Sequence, residues 1–256
     1  MSLIELTERG ARAVVGYRKI NRRIKDLSGQ GTTAWTQDDA ARLEDAERSA
    51  DVAEQEIERG FPLLHNHALM GLWGALEAMI DDVCVSWLDL HPERVTADGF
   101  PRIQVELNQF LALGALEQKR HVVEELKRKQ GSAAKIGAGQ FEAVLDAIGL
   151  GGPIDANVRS VLRIAKSYRN VVAHRGGTAD ARLLADCPDL QLTLGEPVRV
   201  SDAQMQSIIF AMWWYAEEIN RRRRQASGLP AGPNDLPPGM TSPSDLSEPF
   251  KATETS

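Results

Sequence analysis

Two side chains near the end of one patterned segment carry the densest chemistry in this sequence. They bracket the run Arg169-Asn170-Val171-Val172-Ala173-His174, which is followed by Gly176-Gly177. Arginine offers a permanently charged planar fork that suits phosphate oxygens, and histidine exchanges protons near neutral pH. Together they form a minimal kit for cleaving a phosphodiester, with Asn170 one turn before His174, able to fix the imidazole or touch phosphate. The plainer alternative is a pair of polar residues closing a helix.

The residues around the run predict that helix. Asp155 is placed to cap its start. Val158, Val161, Ala165, Tyr168 and Val172 form an apolar stripe at spacings of three and four. Arg163, Ser167, Asn170 and His174 form a polar stripe beside it, so the histidine belongs to a face outside the core. At about 100° per residue, Arg169 and His174 diverge by roughly 140° around the axis. One helix therefore converges the pair poorly, and a symmetric copy of the same helix is the simplest second surface. The pair also sits close to a helix C-terminus, whose partial negative charge suits cationic side chains.

This pattern resembles the HEPN superfamily of all-α domains. Ribonuclease members of that family carry Arg, a polar residue, three further residues and His near the end of their third core helix. The segment Ala68 to Trp87, a long apolar run containing acidic residues, is similar to the family's first core helix. The resemblance covers roughly residues 61 to 225. It implies a homodimeric, metal-independent endoribonuclease in which the 2′-hydroxyl of RNA attacks the adjacent phosphate, with no cofactor. Its implied catalytic residues are Arg169, Asn170 and His174, with Glu77 and Ser167 as accessory candidates and Arg163, Arg175, Arg221 and Arg222 as candidate RNA contacts. Family habit adds a role as a toxin or antiviral-defence effector, with an antitoxin or another defence protein as partner. The toxin subgroup modified by nucleotidyl transfer has tyrosine two residues after the histidine. Gly176 stands there instead, which argues against that regulation. The competing reading is a non-catalytic HEPN-like module that binds a protein partner. A nucleotide-binding domain is disfavoured because no glycine-rich phosphate loop follows a strand.

Composition narrows the remaining classes. A chain of 256 residues, 43% hydrophobic, can bury one substantial core and a smaller appendage. No apolar run reaches the ~18 residues of a membrane span, and the first residues lack the basic start of a secretory signal. A cytoplasmic protein without membrane contact is expected. Cys84 and Cys187 read as structural thiols rather than a disulfide. Scattered histidines without Cys-x-x-Cys or His-Glu-x-x-His speak against a built-in metal site. The net charge of −6 means that RNA contact must come from local basic patches.

The fold expected is an all-α, HEPN-like antiparallel helical bundle in three parts. Residues 1–60 form a helical hairpin, 61–225 the core, and 226–256 a disordered tail rich in Pro, Gly and Ser. In the hairpin, Leu3, Leu6, Gly10, Ala13, Tyr17, Ile20, Ile24 and Leu27 give a coiled-coil seam, which a break at 28–33 interrupts. The next helix, opened by Thr36 and Asp39, continues the seam through Leu43, Ala46, Ala50, Ala53 and Ile57. Basic residues on the first helix face acidic ones on the second. The hairpin is either a partner-binding or dimer-forming arm or an extension packed on its own core.

In the core, Leu69, Leu72, Leu76, Met79, Val83 and Trp87 mark the buried side of a helix ending before His91-Pro92. His65 and His67, near its start, read as surface or capping residues. Residues 103–130 predict a second helix with an ambiguous start, and Phe141–Ile148 a short third. The alternating stretches 190–194 and 198–200 predict an inserted β-hairpin. Ser201 and Gln204 open a last helix, with Met205, Ile208, Ile209, Met212, Tyr215, Ala216 and Ile219 facing inward and Trp213 and Trp214 widening that face. The run Arg221–Arg224 closes it, either as a solvated end or as a phosphate contact.

Overall fold

A computed structural model describes residues 3–28, 36–97, 100–131, 137–232 and 243–250. The protein is mostly helical, with nine α-helices among the described residues. It divides into two compact units, Met1–His67 with Arg199–Asp202 and Ala68–Val198 with Ala203–Ser256.

The first unit contains a helical hairpin of α1 (Leu3–Ser28) and α2 (Gln37–Arg59). The capping box predicted at Thr36 and Asp39 is present, satisfying amide donors at the start of α2. The break expected after Ser28 lies largely outside the described residues. Leu43, Ala50 and Ala53 are buried on α2, as the seam anticipates. The α1 side of the seam differs. Tyr17, Ile20 and Ile24 are more than half exposed, and the residues turned inward are Ala11, Val15 and Arg18. Arg18 pairs with Asp51 and Glu54, and Arg22 Nε donates to Glu47 at 3.0 Å. The basic and acidic helices thus pair across the hairpin, and their arginine stems supply part of its packing.

His65 is fully buried, not a surface residue. Its Nδ1 donates to the Val200 carbonyl oxygen at 2.6 Å, and its Nε2 lies 2.9 Å from the Asp202 carboxylate. Burial of a histidine is tolerated where a ring nitrogen finds a hydrogen-bond acceptor, as Nδ1 does here.

Helix α3 spans Pro62–Leu90 and ends where His91-Pro92 cannot continue it, and the second unit is built around its part from Ala68 on. Leu69, Trp73, Leu76, Ile80, Cys84 and Trp87 are its buried stripe. Leu72, Met79 and Val83, expected inside, are half-buried because the buried face is rotated by part of a turn. Two helices replace the predicted second helix, the short α4 (Leu107–Ala112) and the longer α5 (Ala115–Gly131), separated at Gly114. Then come α6 (Gly139–Ala147), α7 (Ala156–Arg175), α8 (Ala181–Asp186) and α9 (Asp202–Ala226). Aromatic contacts join α3, α6 and α9: Trp73 to Phe141 at 5.6 Å between ring centroids, and Phe141 to Tyr215 at 6.3 Å. On α9, Trp213 is exposed and Trp214 half-buried, so only part of the predicted aromatic face is covered.

Two expectations fail here. No strand forms among the described residues, so the inserted β-hairpin is absent. The 195–198 segment instead lies against 177–179, with one isolated antiparallel bridge between Thr178 and Pro197. Leu190, Val198 and Val200 are each buried, so their alternation reflects single apolar side chains anchoring an irregular loop. Within the segment expected to be a disordered tail, Pro243–Phe250 is a 3-10 helix that packs on α7. Leu246 and Phe250 are buried, and the Ser247 hydroxyl donates to Asn157 at 3.3 Å. Two apolar residues at a spacing of four suffice to anchor it.

Candidate functional site

Helix α7 forms as its sequence predicts. The Asp155 carboxylate accepts from the Asn157 and Val158 amides, at 2.8 and 3.4 Å. Val158, Val161, Ala165 and Tyr168 are buried, while at the last level Val171 takes the inward position and Val172 is half-buried. Gly176 and Gly177 then have φ of 60° and 76°, left-handed values that a side chain would strain. This double turn sends the chain back, and α8 packs against the end of α7. Asp180 caps α8, its Oδ1 accepting from the Leu183 amide at 2.8 Å.

A cavity of about 340 Å³ lies between these two helices. Its α7 wall consists of Ser167, Asn170, Val171, His174 and Arg175, and the α8 side adds Asp180, Arg182, Leu183 and Asp186. Four residues singled out from sequence therefore share one cavity: Ser167, Asn170, His174 and Arg175. His174 is exposed, and no hydrogen bond to a described residue holds its imidazole. Arg175 Nε lies 3.6 Å from Asp180, and Arg182 Nε 3.6 Å from Asp186. The cavity thus carries cations and carboxylates at the loose distances that an incoming charged ligand can rearrange.

Arg169 does not line this cavity, in keeping with its divergence from His174. It is half-buried, its Nε lacks a partner, and its Nη1 lies 3.4 Å from the Asn170 side-chain oxygen. Asn170 consequently links the arginine to the cavity wall. Ser167 is buried beside the Cys187 thiol. Both cysteines are free and buried, and burial pushes the Cys84 thiol up to about 12. These are inert packing thiols.

The remaining candidates lie elsewhere. Glu77 accepts from Trp73 Nε1 at 2.9 Å and lines a separate cavity with Asp81, Lys127 and Gln140. Arg163 stands 3.6 Å from Asp189 and borders another depression with Arg159 and Ser160. Arg221 is held by two 2.7 Å bonds to Glu218. Arg222, expected as an RNA contact, is buried: it binds both Glu142 oxygens at 2.9 Å, Glu218 at 3.0 Å and the Pro153 carbonyl at 2.8 Å. A guanidinium so enclosed is a structural cross-link between α6 and α9.

Sequence reasoning missed Lys166 and the whole of α8. Lys166 is half-buried and donates to the Gln140 side-chain oxygen. Burial pushes its ammonium below the ordinary lysine value, against Glu77, while Arg182 and Arg169 push the same way as burial. It lies one turn before Asn170, so helical spacing alone could have found it. Nothing comparable marked α8, whose placement depends on the Gly176-Gly177 turn. Comparison with family models, curated proteins and solved structures returns no match to this chain.

Proposed function

We propose that the protein is a metal-independent endoribonuclease of the HEPN type, acting as a homodimer on RNA. The observation that carries this reading is the shared cavity of Asn170, His174 and Arg175, with Arg169 reaching Asn170 from beside it. His174 exchanges the proton of the attacking 2′-hydroxyl or the leaving 5′-oxygen. Arg169 stabilises the charge that grows on the phosphate, and Arg175 offers a second cation at the cavity rim. Asn170 orients the arginine or contacts the phosphate. Arg169 and His174 point apart on one helix, so two copies of α7 meet across a twofold axis to complete the site. The Glu77 accessory role loses support, since Glu77 faces a different cavity.

The test is cleavage of single-stranded RNA in the presence of EDTA. Products should end in 2′,3′-cyclic phosphate, 2′-O-methyl substitution at the cut site should block the reaction, and His174→Ala should slow it about 10² to 10⁴-fold without unfolding the protein. Cleavage that demands a divalent ion, or products with 3′-hydroxyl ends, would overturn the mechanism.

A further inference from the structure

We propose that the outer face of α1 is the docking site for an acidic amphipathic helix of a partner protein. Tyr17, Ile20 and Ile24 are 58%, 56% and 52% exposed. With Ala13 they occupy a band roughly 60° wide, at the alternating spacing of a helix-packing seam. Val15 and Arg18, on the other side, are the residues turned toward α2. The apolar band therefore lies on the side of α1 that α2 leaves open.

Charge selects the occupant. On its inner side α1 already accepts an acidic helix, through the pairs of Arg18 with Asp51 and of Arg22 with Glu47. The outer face repeats the layout. Arg12, Lys19 and Arg23 fall within roughly 40° of one another around the axis and flank the apolar band. All three are exposed. A second α1 laid against this band would bring basic rows together, which disfavours self-pairing. A lipid surface is matched by a broad apolar face, and the narrow seam with small Ala13 within it and Gly16 at its edge suits a helix instead.

The experiment uses the full chain and, as probe, a fluorescein-labelled peptide of residues 36–60, an acidic amphipathic helix whose apolar side is free in solution. Anisotropy should show saturable binding that weakens as salt rises. Ile20→Glu, and separately the triple change of Arg12, Lys19 and Arg23 to Glu, should each weaken it at least tenfold. Leu194→Glu, an exposed apolar control, should leave it unchanged. Circular dichroism establishes that each variant keeps its helix content. Absence of peptide binding overturns the proposal, as does equal binding by Ile20→Glu, which would mean that the peptide merely replaces α2 on the inner face. An Ile20-dependent dimer in light scattering would assign the face to a second copy. Ile20-dependent sedimentation with phosphatidylcholine–phosphatidylserine vesicles would assign it to lipid. Either result displaces the acidic helix.

Discussion

Replacing Arg222 separates a structural arginine from a nucleic-acid contact. Its side chain is 7% exposed and joins Glu142 and Glu218, whose side chains are 14% and 4% exposed. Arg222→Ala would leave the Glu142 carboxylate enclosed without its counter-charge and Glu218 with Arg221 alone. Breaking a buried pair in this way costs about 3 to 5 kcal/mol. The lower end applies here, because Glu142 keeps the Tyr215 hydroxyl at 2.7 Å and the Gly152 amide at 3.1 Å, and Glu218 keeps Arg221. For a protein of this size about 3 kcal/mol lowers Tm by roughly 6 to 12 °C. Differential scanning calorimetry of Arg222→Ala beside Arg223→Ala measures it. Arg223 is exposed and its side chain reaches only Asn220 among the described residues, at 3.0 Å, so its loss should cost less than about 0.5 kcal/mol. A wild-type Tm for Arg222→Ala, combined with weakened RNA binding, would refute the structural assignment and restore the phosphate contact.

Two further outcomes follow from the same packing. Leu246 is 1% exposed, so Leu246→Ala should destabilise the protein by about 2 to 5 kcal/mol in urea unfolding, whereas a tail that packs on nothing would give no change. Burial pushes the Glu218 carboxyl up, but hydrogen bonds from Arg221 and Arg222 outweigh it and hold the group below its ordinary value. The unfolded chain then binds more protons than the folded one. The stability contributed by Glu218 is fully present above the ordinary glutamate value of about 4.3 and is lost as pH falls through the lower folded value. Tm recorded from pH 7 to pH 3 should fall less steeply at the acid end for Glu218→Gln than for wild type; parallel curves would contradict the linkage.

Much of what positions the site was legible because it is local. Asp155 two and three residues before the amides it accepts, Gly176 after the last helical residue, and Pro92 after Leu90 act over a single turn, and each boundary formed as predicted. The polar stripe of Ser167, Asn170 and His174 was readable from helical period and lines one cavity. What escaped depends on distant partners. Arg222 looked like one member of a basic run because Glu142, which encloses it, is 80 residues away. The alternation around Leu192 matched a strand but pairs with no strand among the described residues. On α1 two stripes of similar polarity compete, and the arginine stems of the inner one outweighed the larger side chains of the outer one. Lys166 was within reach of the spacing argument, but a lysine between apolar residues resembles an ordinary solvated one until Gln140 is placed beside it.

The central claim is that two copies of α7 complete one ribonuclease site, and mixing two inactive variants tests it most directly. Arg169→Ala and His174→Ala chains should each fail to cut single-stranded RNA in EDTA. After unfolding and refolding together, random pairing makes half of the dimers mixed, each with one intact Arg169–His174 combination across the twofold axis, and about a quarter of wild-type activity should return. Light scattering should show a dimer throughout. No recovery despite demonstrated chain exchange, or full activity from a strictly monomeric protein, would contradict a shared site.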